Sequence, residues 1–187
     1  MPPRVKITKE DIISTAVNIV RRDGADSVNA RLIAKELDCS TQPIFSNYAT
    51  MEELRYAVVS AANDLYQEYI NREIAAEKYP AYKASGMAYI RFAKEERELF
   101  KLLFMRDRSA EGEPPETEGT EKIIGLVQAS TGLHDDKATL FHLEMWAYVH
   151  GIATMTATNY RQLDQELISE MMTDAYQGMR SRYEAKE

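Results

Sequence analysis

The sequence predicts an all-α protein of about nine helices, in which a three-helix head carrying a helix-turn-helix precedes a larger helical domain. Three observations carry this. Apolar residues recur at i, i+3, i+4 and i+7 along almost the whole chain, and strand-like alternation of apolar and polar residues is absent from the sequence. Three helix starts and one tight turn also succeed one another closely between Asn29 and Leu54, NARLIAKELDCSTQPIFSNYATMEEL.

Thr8-x-x-Asp11 is a shortened capping box for a first helix whose buried face is expected at Ile13, Ala16, Val17 and Val20, and Gly24 ends it. Asn29 caps a second helix running to about Leu37, with Val28 and Ile33 at hydrophobic-staple spacing. Asp38 and Cys39 break that helix, and Ser40 is expected to cap a third one from Thr41 to Asn47, with Pro43 in its first turn where a missing N–H is tolerated. Ile33, Ala34, Leu37, Cys39, Ile44 and Tyr48 can then face one small core. Thr50-x-x-Glu53, flanked by Ala49 and Leu54, opens a long fourth helix with a stripe of Leu54, Ala57, Val58, Ala61, Ala62, Leu65, Tyr69 and Ile70, expected to end near Ala76. It reads as a connecting rod from the head to the larger domain. Helices are expected over Ala81–Ala93, Arg97–Met105 and Glu121–Ser130, from Asp135 or Asp136 to Thr158, and from Leu163 or Asp164 to near Tyr183. The Gly-, Pro- and Glu-rich run from Arg106 to Thr120 reads as a surface loop.

Composition bounds the function classes. The chain has 187 residues, 44% of them apolar and 28% charged, which is ordinary for a water-exposed globular protein. No apolar run approaches membrane length, and the stretch before the first helix has no apolar core of a secretory signal, so the expected compartment is cytoplasmic, with no membrane partner. A single cysteine, Cys39, excludes an internal disulfide and a multi-cysteine zinc site; it reads as a small apolar plug under the helix-turn-helix, with a redox switch as the other reading. The net charge is −7, but residues 1 to 56 hold equal numbers of basic and acidic side chains, so the excess negative charge lies beyond the head. Arg4, Lys6, Lys9, Arg31 and Lys35 can still make a locally basic surface, and a solvated face of mixed charge is the plain alternative.

The run Ile33-Ala34-Lys35-Glu36, then Leu37, Cys39-Ser40-Thr41, Ile44-Phe45 and Tyr48, followed by Met51-Glu52-Glu53-Leu54, resembles the DNA-binding head of TetR-type transcriptional repressors. Three positions depart from that family's pattern: Asp38 stands at the usual turn glycine, Phe45 at a tyrosine and Met51 at a lysine, so a phenol and an ammonium that would contact phosphate are missing. The resemblance implies a DNA-binding domain over residues 1–50 and a ligand-sensing, dimerising domain over 51–187. It also implies a homodimer that reads a palindromic operator in double-stranded DNA. More loosely, Trp146-Ala147-Tyr148-Val149-His150-Gly151-Ile152-Ala153 is similar to a Trp, His, Gly signature in the regulatory domains of one TetR subgroup.

The residues and the resemblance together give the candidate sites. Thr41, Gln42 and Ser46 are the base-edge candidates on the third helix, with Gln42 first because its amide can pair with adenine in the major groove. Asn29, Arg31, Ser40 and Asn47, with Arg4 and Lys6 of the tail, are candidates for holding the DNA, Arg31 through a phosphate or a guanine; Pro43 and Phe45 can touch thymine methyls or sugar. Phe92, Phe100, Phe104, Met105, Phe141, Met145, Trp146 and Met155 form a dense aromatic and methionine set, which is either an ordinary core or the lining of a cavity for a flat or hydrophobic effector. Ala147, Gly151, Thr154 and Thr158 make a low ridge on one helix, and Met171, Ala175, Gly178 and Met179 a matching face on the last. Such a ridge allows close approach of a second chain or of a neighbour within the domain. No catalytic, cofactor or metal-binding signature is present: His142 and His150 lie about two helical turns apart, too far for one metal. The rival to a ligand-released repressor is a helical protein–protein adaptor that retains a degenerate helix-turn-helix.

Overall fold

The computed structural model describes residues 7–107 and 118–184. Among them the chain forms α1 (Lys9–Asp23), a 3-10 turn (Ala25–Ser27), α2 (Ala30–Glu36), α3 (Gln42–Asn47), α4 (Met51–Ala75), α5 (Ala81–Glu95), α6 (Arg97–Phe104), α7 (Glu118–Thr131), α8 (Asp135–Ala157) and α9 (Gln165–Glu184). The all-α reading holds. Most of the expected surface loop, and the tail residues Arg4 and Lys6, lie outside the described residues. No described helix is long and apolar enough to cross a membrane.

The chain divides into two compact units: Met1–Leu65 with Glu96–Arg106, and Tyr66–Glu95 with Asp107–Glu187. The division falls within α4, beyond the boundary expected at residue 50, and α6 joins the head. In that first unit α1 carries the full capping box: the Asp11 N–H donates to Thr8 Oγ1 at 3.1 Å and the Thr8 N–H to Asp11 Oδ2 at 2.9 Å. The Thr8 N–H and hydroxyl, both donating to Asp11 Oδ2, hold the Asp11 carboxyl below its ordinary range. The buried face of α1 holds Ala16, Val17 and Val20 as expected, with Ile12 and Ile19 added, while Ile13 is only half-buried. α6 packs on α1 and on the 3-10 turn, so α1 is covered from more than the side facing α2. Arg21 grips Glu96 with two bonds of 2.8 Å, fixing the start of α6 to the same helix. Gly24, at φ 84°, makes the bend after α1.

In the second unit α5 is the central element. Its residues from Ala84 to Ala93 are buried almost all round, against α8, α7 and α9. Gly86 permits close passage: a Cβ there would stand 2.5 Å from Met172 Cε and 3.6 Å from Val149 Cγ2. Tyr66 and Tyr69, from the last turns of α4, pack on Phe92 with ring centroids 5.4 and 5.3 Å apart. The buried carboxylate of Glu73, 4% exposed, meets Arg91 at 2.7 Å. α9 starts on Asp164, whose Oδ1 accepts the Leu167 N–H at 2.7 Å, as the sequence predicts for one of its two candidates.

Candidate nucleic-acid interface and regulatory surfaces

The helix-turn-helix forms as the caps require. Asn29 Oδ1 accepts the Leu32 N–H at 3.0 Å while its Nδ2 donates to the Ser27 carbonyl at 3.0 Å. That amide is committed at both ends to starting α2, so capping is its first role, ahead of DNA. At the other end of α2 the chain turns on Asp38, at φ 50°. The Cys39 N–H donates to the Ala34 carbonyl at 2.9 Å and the Asp38 N–H to the Lys35 carbonyl at 3.3 Å. This pair of bonds is a Schellman motif with an aspartate in the left-handed position. It brings α3 round against α2, with Ile33, Ala34, Ile44 and Tyr48 buried and Leu37 and Cys39 half-buried.

One cap differs from expectation. Ser40 does not start α3: Thr41 is the flanking residue, its backbone already helical (φ −72°, ψ −11°), and no side chain caps the helix. Gln42 is thus the first helical residue and Pro43 the second, where its missing N–H has no intrahelical partner to lose. Further along, the Ser46 hydroxyl donates to the Gln42 carbonyl at 2.9 Å and Asn47 Nδ2 to the Pro43 carbonyl at 2.7 Å. The outward face of α3 therefore presents the exposed side chains of Gln42 and Ser46 and the Phe45 ring, 48% exposed. Arg31 is exposed on α2, Ser40 is exposed, and Thr41 and Pro43 are half-buried. At the start of α4, Thr50 Oγ1 accepts the Glu53 N–H at 3.1 Å, and Glu53 reaches back one residue further than a capping box requires, to the Ala49 N–H at 2.7 Å.

The aromatic and methionine candidates separate. Phe100, Phe104 and Met105 belong to the first unit, and Phe92, Phe141, Met145, Trp146 and Met155 to the second. Phe92, Phe100 and Phe141 are wholly buried and Met145 nearly so, whereas Trp146 and Met105 are 40% and 41% exposed. An open cleft of about 670 Å³ in the second unit is lined by Lys78, Tyr79, Asp164, Gln165, Glu166, Ser169, Glu170 and Thr173, none of them in the predicted set.

Two side-chain pairs that sequence reasoning missed join α5 to α8. Tyr82 Oη lies 3.1 Å from His142 Nδ1, and Tyr89 Oη 2.8 Å from His150 Nδ1. Burial lowers the pKa of both imidazoles and raises both phenols far above their ordinary value. Each neutral histidine then shares one hydrogen bond at Nδ1 with a phenol that keeps its proton, the tautomer setting which group donates. Trp146 stacks on His150, with centroids 4.9 Å apart and planes at 19°. A signal for this existed in the spacing: the two tyrosines and the two histidines are each about two helical turns apart. Among the described residues no group of three or more His, Cys, Asp and Glu is placed to hold a metal ion.

The ridge on α8 faces outward. Ala147, Gly151 and Thr158 are exposed, Thr154 is half-buried, and a Cβ added at Gly151 would meet nothing within 4 Å. Leu140 and Leu143 extend the exposed face at 47% and 56%. On α9, which packs beside α8, Gly178 is exposed with open space around it, Met171, Ala175 and Met179 are half-buried, and Leu167 is 41% exposed.

Residues 82–176, half of the chain, match the tetracyclin repressor-like C-terminal domain. The chain belongs to the TetR-type transcriptional regulators. It is 25% identical over 158 residues to an uncharacterized HTH-type transcriptional regulator of Mycobacterium tuberculosis, covering 82% of this chain and 72% of that one. The solved structure of a TetR-like transcriptional regulator from Rhodococcus sp. RHA1 superposes over 100% of both chains with a TM-score of 0.66 at 14% identity. The Streptomyces coelicolor TetR family protein ActR, solved in complex with (S)-DNPA, superposes over 94% of this chain and 89% of its own with a TM-score of 0.57 at 19% identity. These structural likenesses establish the TetR fold.

Proposed function

We propose that this TetR-type regulator is a cytoplasmic, homodimeric repressor that binds a palindromic operator through α3 and leaves it when a small apolar or aromatic effector binds the helical domain. The observation that carries the DNA part is the outward face of α3, where Gln42 is exposed on a helix whose opposite side, Ile44 and Tyr48, is anchored in the core. Gln42, Thr41 and Ser46 read base edges, Phe45 and Pro43 meet thymine methyls or sugar, and Arg31, Ser40 and Asn47 hold the backbone. Two such helices related by a two-fold axis would occupy half-sites about 34 Å apart or a multiple of that. The effector part is supported by the family and by ActR, which was solved with a small molecule bound. The effector must bind the DNA-free state better, with a coupling of about 1–3 kcal/mol.

Selection of random oligonucleotides by the purified protein tests this. A palindromic consensus supports the repressor, and Gln42→Ala should cost about 1–3 kcal/mol at one base position. Enrichment of no palindrome, with binding that is weak and insensitive to salt, would point instead to the protein–protein adaptor. The dimer has its own test at the small-residue ridge. Since Gly151 has open space in the single chain, Gly151→Trp should leave a folded protein and split the dimer in sedimentation experiments. A Gly151→Trp protein that stays dimeric would remove the α8 ridge from the interface.

A further inference from the structure

We infer that Lys9 is a phosphate-binding residue of the head, held by the ring of Tyr48 at the C-terminal end of α3. This rests on the DNA-binding reading and adds a residue to it. The head carries no net positive charge, and two of its arginines are already matched: Arg21 to Glu96, and Arg22 to Asp23 and Glu36. Lys9 is different. Its side chain is exposed at the start of α1, and its Nζ stands 5.1 Å from the centroid of the Tyr48 ring. Tyr48 is itself 5% exposed and closes α3, its N–H donating to the Ile44 carbonyl at 2.9 Å. The ring is therefore a fixed platform, and the ammonium on it is restrained while its outer N–H donors remain open to solvent.

The position on α3 decides what those donors would meet. A helix of six residues is about 9 Å long, against a major groove roughly 12 Å wide. When such a helix lies across the groove, a cation held at its end stands at the sugar–phosphate wall. The same corner also needs a cation, because Glu10 and Glu53 both act on the Tyr48 hydroxyl and raise its pKa, after burial itself. Glu53 is engaged by the Ala49 N–H at 2.7 Å, and Lys9 precedes Glu10 directly in the chain.

The test is a salt titration of binding to a fluorescently labelled random-sequence duplex, comparing the parent with Lys9→Gln and Lys9→Arg. Losing one phosphate contact should lower the slope of log K against log salt by about 0.9 in Lys9→Gln, with the loss equal across duplex sequences, while Lys9→Arg keeps the parental slope. Far-UV circular dichroism checks that both variants are folded. A parental slope that is steep and unchanged in Lys9→Gln would overturn the inference and leave the DNA reading standing. A parental response that is itself flat would overturn both.

Discussion

Asp38 offers the sharpest test of how the head is built. The turn between α2 and α3 holds this aspartate at φ 50°, a region that costs an L residue about 1–2 kcal/mol and Asp somewhat less, because its short side chain tolerates it. Asp38→Gly removes that strain but adds freedom to the unfolded chain, an opposing term of about 0.4–1 kcal/mol. The expected net gain is about 0.5–1 kcal/mol, whereas Asp38→Ala should lose up to about 1 kcal/mol. Tryptophan fluorescence would miss this, because the single tryptophan, Trp146, lies in the other unit. Hydrogen exchange reads it directly at the Cys39 amide, which closes the turn on the Ala34 carbonyl at 2.9 Å. Exchange there should slow by about 2- to 5-fold in Asp38→Gly and quicken in Asp38→Ala, if it proceeds by opening of the turn. Equal protection in glycine and alanine variants would refute the left-handed turn as the source of strain.

Other expectations bear on the second unit. Tyr89→Phe removes the 2.8 Å hydrogen bond to His150 Nδ1 and should cost about 1–3 kcal/mol in urea denaturation; a loss no greater than experimental scatter would show that the pair is dispensable. Because burial lowers both imidazole pKa values from their ordinary 6.5, protons bind the unfolded chain first as pH falls. The stability that depends on neutral His142 and His150 is thus complete above pH 6.5 and is lost as pH drops from there toward the folded-state values, so a His142→Gln, His150→Gln protein should show a flatter decline below 6.5 in thermal melts. At Gly86, alanine needs only a shift of the flexible Met172 methyl and should be tolerated, while valine should cost about 1–3 kcal/mol in the same melts.

The elements were legible wherever a local signal fixes backbone geometry. Thr8 with Asp11, Asn29, Thr50 with Glu53 and Asp164 each satisfy an N–H in the first turn of a helix, and each start could be placed from the residues alone, the last as one of two neighbouring residues. Ser40 failed because it stands one residue too early: Thr41, its backbone already helical, is the residue that flanks α3, and no side chain caps the helix. The face of α1 was legible at Ala16, Val17 and Val20 but not at its margin, where Ile12 and Ile19 are buried and Ile13 is not, for a different reason. Periodicity says that a helix has a buried side, but which side is settled by its partner, and α6 lies about seventy residues away in the chain.

The same limit governs the regulatory surfaces more severely. Aromatic and methionine side chains at helical spacing satisfy a packed core and a ligand cavity equally well, and Phe92 and Phe141, with no exposed surface, are core in this state. Trp146 is the instructive case. The sequence groups it with those rings, yet it stands at the outer side of α8, stacked on His150 and four residues before it, with Ala147 and Gly151 on the adjoining ridge. Its exposed edge would be covered if a second copy packed on that ridge, and the stacked His150 is tied through Tyr89 to the centre of the unit. A change at the α5–α8 seam would then reach the proposed dimer face through His150 and Trp146. Under that reading Trp146→Leu should alter dimer affinity as well as effector response, and Trp146 fluorescence should shift on dilution through the dimer–monomer range. Emission that stays constant while the dimer dissociates would place Trp146 outside the interface.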